Sequence, residues 1–545
     1  MLLYITLNEN SKILFLQQLG RIIYSIDPNI SYPDEKRPVA IDLANNIFRI
    51  DLNKSRKKQN KKSDYDLLSI IIDWYKTHGN RIPSINSVSK QEARYASILQ
   101  RIKTNYQIYI TNPDEIYKQS QLDIKDIRNI LILGEEIDLW NITLETRISQ
   151  DTITEEIETD LFNLKGEFMD WKVQLFKLNF DQRETDAVKE VLESGWITMG
   201  QKTLDFEAAY ARLLGENVKC IAVSNGTAAL HIACLALGVG PGDEVIVPGL
   251  TFIADLNVVK MSGAEPILAD ITCIDTDWDM SPADIESKIT PQTKAIMIVH
   301  YAGYACDMNA ICDICKRHNL PLIEDCAHAP GASYKGRMLG TFGDVSCWSF
   351  FTNKNLSVGE GGMVVVKSEQ LYQKCKNLRS HGMTVASFDR MKGRASNYNV
   401  VEPGLNYRID EMRAALGLVQ LEKLSEANEK RRVLTNRYFE LLDEMDKIVV
   451  PFRQFDRGNP SYHIMPILLG EGVDRQHIIS GLAERGIQAS VHYPFIPGFT
   501  AYEGVKGAVP LAKVISEREI TLPLYPTMTI DQVELVSSAL KEVLT

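Results

Sequence analysis

The sequence predicts an α/β fold with a mainly parallel sheet over residues 175–545, preceded by a separate α+β module over residues 1–170. Three observations carry that expectation. From about Asn179 onward, short apolar runs alternate with stretches of helical apolar spacing, the pattern of strands joined through crossover helices. Composition changes near the same point: the first part is rich in Ile, Asn, Lys and Asp, after which Ala, Gly and Val take over. The length, 545 residues, exceeds one average domain and leaves ample chain for large cores.

Composition excludes several classes. Hydrophobic residues at 45% and charged residues at 24% describe an ordinary globular protein. A net charge of -11 argues against a chain-wide surface for nucleic acid or anionic membrane. The apolar start, Met1 to Leu7, is broken by Glu9 and Lys12 and is too short for a signal peptide or a spanning helix. A cytoplasmic protein with no membrane contact is the expectation. The nine cysteines, all between Cys220 and Cys375, have no secreted context to make them a disulfide framework. Cys312 and Cys315 form a C-x-x-C, but the helical spacing of Met308 to Asn319 puts both on the buried stripe. No second pair stands at zinc-finger distance, so core packing is expected and no metal.

In the first module the pattern predicts a strand at Leu2 to Leu7, a helix over Lys12 to Ile26 and short strands near Val39 to Leu43 and Ile47 to Leu52. The basic run Lys54 to Lys62 reads as a solvated loop. Helices are expected over 65–77, 90–103, 124–133 and 152–164. No catalytic constellation stands out in this module.

In the second region, helices over Gln182 to Ser194 and Thr203 to Leu214 lead to a strand at Cys220 to Val223. Ser224-Asn-Gly-Thr-Ala-Ala-Leu230 then opens a helix. Such a turn presents free N–H groups and a positive dipole end, a seat for phosphate at Gly226 and Thr227; it would serve equally as a plain cap. Gly238 to Gly242 follows a helix and precedes strand Glu244 to Val247, the reverse of a dinucleotide fingerprint, and is a turn. Phe252 stands just past that strand, as a core residue or as the cover of a flat cofactor. Strands at Ala295 to His300 and Leu320 to Glu324 follow, the second delivering Asp325 and His328 to the same edge. A buried carboxylate there wants a cation, which a protonated pyridine or an arginine could supply. In Cys347 to Gly362, Lys354 sits in an apolar, glycine-rich setting, where a desolvated amine can attack a carbonyl; a lysine snorkelling from a loop is the plain alternative. A phosphate seat, an aromatic lid, a strand-end Asp and a shielded lysine, in that order, are the parts that hold pyridoxal phosphate.

From Gly195 onward the sequence resembles the DegT/StrS family of pyridoxal-phosphate-dependent nucleotide-sugar aminotransferases. The resemblance lies in Gly195-Trp-Ile-Thr-Met-Gly, Ser224-Asn-Gly-Thr-Ala-Ala, Ile323-Glu-Asp-Cys-Ala-His-Ala, Ser349-Phe-Phe-Thr-Asn-Lys, Gly359-Glu-Gly-Gly and Gly404-Leu-Asn-Tyr-Arg-Ile-Asp. It implies that Lys354 forms the Schiff base and shuttles a proton, that Asp325 pairs with the pyridinium nitrogen, and that Phe252 stacks on the ring. It also implies that His328 approaches the ring hydroxyl, and that Gly226, Thr227 and Ser349 hold the phosphate. Asn406 matches the residue that reaches the phosphate of the neighbouring subunit, which implies a homodimer with shared active sites. The fold implied is the aspartate-aminotransferase type (fold type I), with a large domain over 175–425 and a small carboxy-terminal α/β domain over 426–545; a helix from Glu411 to Leu424, continuing through Tyr438, would connect them. Relatives that act as dehydratases replace the lysine with histidine, so Lys354 points to amino transfer.

The activity implied is transfer of an amino group, from glutamate, to a keto group of a nucleotide-linked deoxy sugar, in cell-surface polysaccharide or amino-sugar biosynthesis. Arg390, Lys392 and Arg394 would suit the substrate diphosphate, or form a solvated loop. His492-Tyr-Pro-Phe is expected to serve packing. Residues 1–170 lie outside the resemblance. With the basic run at 54–62 they motivate the competing expectation, a cofactor-binding regulator or assembly protein whose first module binds a partner or nucleic acid.

Overall fold

The computed structural model describes residues 39–42, 47–50, 171–215, 217–384 and 398–545. The chain divides into two compact units, 1–167 and 168–545. In the first, β1 (Val39–Asp42) pairs antiparallel with β2 (Ile47–Ile50), Val39 opposite Ile50. Two short strands were expected there; the helices expected over 12–26, 65–77, 90–103, 124–133 and 152–164, and the basic run, lie outside the described residues.

The second unit opens with α1 (Gln182–Ser194), whose ends follow from local chemistry. Asp181 caps it by accepting from the Arg183 N–H, Glu184 reaches back to the Asp181 N–H at 2.7 Å, and Gly195 ends it in the left-handed conformation at φ 68°. Next comes α2 (Gln201–Leu214), then an alternation of strand and helix. Its members are β3 (Lys219–Val223), α3 (Gly226–Ala236), β4 (Glu244–Pro248), α4 (Ala254–Met261), β5 (Glu265–Ala269), α5 (Pro282–Ser287), β6 (Thr293–Val299), α6 (Met308–His318) and β7 (Leu322–Asp325). A two-stranded ribbon, β8 (Ser333–Tyr334) and β9 (Arg337–Met338), leads to β10 (Val345–Ser349), β11 (Gly362–Val366) and α7 (Glu369–Arg379).

Among the described residues the main sheet has seven strands in the order β3-β11-β10-β7-β6-β4-β5. All neighbours pair in parallel except β11, which runs antiparallel to both β10 and β3. Helices cover both faces, and alternate strand residues feed separate cores: Val245, Val247, Met297 and Val299 point to one, Ile246, Ile296 and Ile298 to the other. Burial on both faces is why these strands read as unbroken apolar runs. Pairing across the edge aligns the site. Ser349 stands opposite Gly362, and Gly362 opposite Val223. Cys347 stands opposite Asp325, and Asp325 opposite Val299.

The connecting helix, expected from Glu411 through Tyr438, is a single α8 (Glu411–Leu442) of 32 residues. Its first residue, Glu411, is buried and accepts from the N–H groups of Gly200, Lys202 and Thr203, closing the start of α2. After it comes a three-stranded antiparallel sheet, β12 (Ile448–Val449), β13 (Met465–Leu469) and β14 (Glu519–Leu522). Three helices, α9 (Arg475–Glu484), α10 (Pro510–Arg518) and α11 (Ile530–Leu544), complete this part, and α11 packs against both α8 and α9.

The cysteine expectation needs one correction. On α6 Cys315 is buried, but Cys312 is half-buried, at the margin of the apolar stripe rather than within it. No helix among the described residues is long and apolar enough to cross a membrane.

Candidate active site

The edge at the carboxyl ends of β3, β7 and β10 gathers the predicted residues. Helix α3 begins at Gly226, with the Asn225 carboxamide accepting from the Ala228 N–H at 2.8 Å. A Cβ on Gly226 would stand 2.8 Å from the Cβ of Ser349 and 3.2 Å from its Oγ, so only glycine lets Ser349 close on the helix start. Gly362 is tied in the same way, since a Cβ there would stand 2.4 Å from the Asn225 carbonyl oxygen. With Thr227 exposed, this is a small-residue cradle of N–H and hydroxyl groups at a positive helix end, which fits a phosphate. Alongside it, the Ser224 N–H donates to the Tyr407 carbonyl at 2.8 Å, and Asn406 is exposed.

Deeper along the edge lies Asp325, buried at the end of β7 and accepting from the Ala327 N–H at 2.8 Å. Burial raises its pKa above the ordinary carboxylate value, against the pull of the Ala327 N–H and the Lys354 cation. A second acid stands within its field. Asp255, in the first turn of α4, is fully buried; Thr251 Oγ1 donates to its Oδ2 at 2.5 Å, and its Oδ1 has no partner among the described residues. Burial and the charge of Asp325 hold the Asp255 carboxyl well above the usual range, in its neutral form. Asp325, with one lysine nearby, makes a cation-seeking floor, which fits a protonated pyridine ring.

Lys354 lies in the turn between β10 and β11, its N–H donating to the Phe351 carbonyl at 2.9 Å. Lys354 is half-buried, and the burial of its amine lowers the pKa to about 8, with Asp325 opposing the shift. Phe252, past the end of β4, is 53% exposed, so it is not core; its ring centroid is 5.7 Å from that of Tyr493.

His328 is buried, and its tautomer follows from its partners. The Ala302 N–H donates to Nδ1 at 3.2 Å, so Nε2 carries the proton and donates to the Tyr493 hydroxyl oxygen at 2.8 Å. That leaves the Tyr493 O–H free to donate onward. Burial, with the charge of Lys354, pushes the His328 pKa well below its ordinary value, so the ring stays neutral. Expecting only packing from His492-Tyr-Pro-Phe therefore missed Tyr493, whose only sequence signal is its place in that aromatic cluster. Nearby, His300, Glu324 and Cys326 bring ligand-type atoms within 4.8 Å of one another. Glu324, however, is saturated by the N–H groups of Gly340, Phe342 and Gly343 and by His300, so it anchors loops rather than offering itself to an ion. Arg390, Lys392 and Arg394 lie outside the described residues.

A sequence model of the DegT/DnrJ/EryC1/StrS aminotransferase family matches residues 179–541. The chain belongs to this family. Solved structures agree with the assignment. The aminotransferase TlmJ of Streptoalloteichus hindustanus is 31% identical, with a TM-score of 0.63, and the match covers 69% of this chain and 98% of TlmJ. PseC of Helicobacter pylori, an aminotransferase of pseudoaminic acid biosynthesis, is 28% identical with a TM-score of 0.63, over 68% of this chain and 99% of PseC. Spr1654 of Streptococcus pneumoniae, described as a sugar aminotransferase, is 30% identical in its PLP-form with a TM-score of 0.62, over 67% of this chain and 98% of its own; it is also known in a PMP-form. The protein is a pyridoxal-phosphate-dependent sugar aminotransferase, and the cradle, the acid floor and Lys354 fit that cofactor. Residues 1–178 of the aminotransferase lie outside the family match.

Proposed function

We propose that this aminotransferase moves an amino group, from glutamate, onto the keto group of a nucleotide-linked deoxy sugar, in the cytoplasm, for polysaccharide or amino-sugar biosynthesis. The observation that carries the chemistry is Lys354, whose shielded amine has a pKa of about 8 beside the buried Asp325. At that value roughly a tenth of the amine is neutral at pH 7, against about one in three thousand at the ordinary lysine value. The cofactor, when bound, supplies an aldehyde that takes up amines and a protonated ring that accepts the electron pair released at the carbon bearing nitrogen.

The chain's own residues do the rest. Lys354 would hold the cofactor through its neutral amine and, when not so engaged, would be the group placed to carry a proton during the amino transfer. Asp325 keeps the ring nitrogen protonated, and the neutral Asp255 adds no second charge to the floor. His328 holds the Tyr493 hydroxyl so that its proton is free to donate, and both would serve the ring hydroxyl side of the cofactor, while Phe252 would stack on the ring. Gly226, Thr227 and Ser349 hold the phosphate, joined by Asn406 from a second copy in a homodimer with shared sites. Arg390, Lys392 and Arg394 meet the sugar-linked diphosphate.

The test is a screen of nucleotide keto sugars with glutamate, following amine formation by mass spectrometry. One or more sugars should gain nitrogen from labelled glutamate, and Lys354→Ala should lose both this activity and the visible absorbance of the lysine-bound cofactor. Amine formation that survives Lys354→Ala would overturn the reading.

A further inference from the structure

The residue after the reactive lysine sits at the centre of a buried polar network. Asn355 is 5% exposed, and its Nδ2 donates to Asn428 Oδ1 on α8 at 2.8 Å and to the Ser461 carbonyl at 2.7 Å. Neither acceptor can change role, because Ser461 offers a backbone carbonyl and Asn428 spends its own Nδ2 on the Pro330 carbonyl at 2.8 Å. The orientation of the Asn355 amide is therefore fixed, and its Oδ1 must accept. It faces His463 Nδ1 at 2.9 Å, so Nδ1 carries the proton and Nε2 is a bare lone pair. His463 is buried, its Nε2 has no partner among the described residues, and its ring centroid lies 4.3 Å from that of His328.

The same network reaches His328 along the backbone. Ser461 Oγ donates to the His328 carbonyl at 2.6 Å, and the His463 N–H donates to the Ala302 carbonyl at 2.9 Å, on the residue whose own N–H fixes the His328 tautomer. Gly303 makes room for this contact, since a Cβ there would stand 2.2 Å from Ser461 Oγ. One amide thus ties four pieces together: the lysine turn, the long helix, the 461–463 segment before β13, and the loop after β7.

We propose that Asn355 and His463 are a positioning pair for the amino-transfer reaction, holding the Lys354 turn and the His328 ring in one fixed relation to α8. A buried amide whose two donors and one acceptor are all engaged specifies one geometry, and a displacement of about 1 Å at a reacting group costs on the order of a hundredfold in rate. The inference rests on Lys354 being the cofactor lysine.

The experiment uses the full-length, cofactor-loaded enzyme. It reads three quantities: the pH midpoint of the visible band of the lysine-bound cofactor, kcat and KM, and the thermal midpoint. His463→Leu and Asn355→Leu should move the pH midpoint by about half a unit or more and lower kcat about tenfold, with KM within about twofold. His463→Asn keeps a donor where Nδ1 stood and should return both values towards the native ones. Tyr438→Phe, which removes a buried hydrogen bond from α8 to the Pro523 carbonyl, is the control: it should lower the thermal midpoint and leave the pH midpoint in place. If the leucine variants do not fold, His463→Asn and His463→Gln give the same contrast, since Gln places its amide where Nε2 stood and should not restore the midpoint. Leucine variants with the native pH midpoint, or Asn and Gln variants with equal midpoints, overturn the proposal. A native protein with no visible band would instead overturn the role given to Lys354.

Discussion

Tyr493 and His328 meet through a 2.8 Å hydrogen bond across 165 residues of chain, and the Ala302 N–H on the far ring nitrogen fixes the direction of donation from His328 to Tyr493. Tyr493→Phe leaves a buried Nε2–H with no acceptor. Such a loss destabilises by about 1–3 kcal/mol, so the variant should unfold at lower denaturant concentration with an unchanged slope. Its turnover should fall as well if, as proposed, the hydroxyl it removes serves the cofactor site.

The contact between Gly226 and Ser349 makes a separate prediction. Gly226→Ala puts a methyl group 2.8 Å from the Ser349 Cβ, at the mouth of the phosphate cradle. The helix itself is not harmed, since alanine is the better helix former. The expected result is a folded protein whose affinity for pyridoxal phosphate, measured by equilibrium titration, is weaker by about tenfold or more. Unaltered affinity would move the phosphate elsewhere.

With Lys354 as the proposed cofactor lysine, the rate of cofactor capture should depend on pH. The neutral amine is the attacking form, and its pKa is pulled down to about 8. Capture by the unloaded protein should therefore accelerate through pH 8 and level off above it, well before the ordinary lysine range. Asp325 opposes the downward shift, so Asp325→Asn should carry the midpoint further below 8. Stability has a definite sign too. Between about 8 and 10.5 the unfolded chain still binds a proton that the native lysine has released, so the unloaded protein should gain stability as pH rises through that window.

Glu519, fully buried on β14, gives the opposite slope. Burial raises its pKa to about 8, although it accepts from the His492 N–H at 2.7 Å and from Thr521 Oγ1 at 2.5 Å. From its ordinary value of 4.5 up to 8 the native state holds a proton that the unfolded chain has lost. Stability should fall over that window by about 1.4 kcal/mol per pH unit and no further above it. Glu519→Gln mimics the protonated form, so native and variant proteins should be closest near pH 5, with the variant gaining on the native protein up to pH 8. Parallel denaturation curves at every pH would refute this.

How much of this was legible beforehand depends on where each partner lies. Strands such as β4 and β6 announce themselves because both their faces are buried, and α1 shows its ends through Asp181, Glu184 and Gly195. Strands β10 and β11 were hidden because Cys347 to Gly362 draws the eye to its glycines, although Met363 to Val366 is an unbroken apolar run. The gathering of Asp325 and Lys354 at one sheet edge was readable from their local settings and order. His463, Asn355 and Tyr493 were not, because their roles come from hydrogen bonds spanning 108 and 165 residues. Asp255 was hidden for a different reason, since an acid in the first turn of a helix is ordinarily a partner of the dipole.

One consequence follows from the reversed direction of β11. Because Ser349 and Gly362 face each other across adjacent strands, the segment bearing Lys354 is a hairpin with both feet clamped in the sheet. A loop pinned in that way has little freedom to swing as a body, while the proposed proton transfer asks the amine to reach two different carbons in turn. The travelling part of the catalyst is therefore the lysine's own four-carbon stem, pivoting on a stationary backbone.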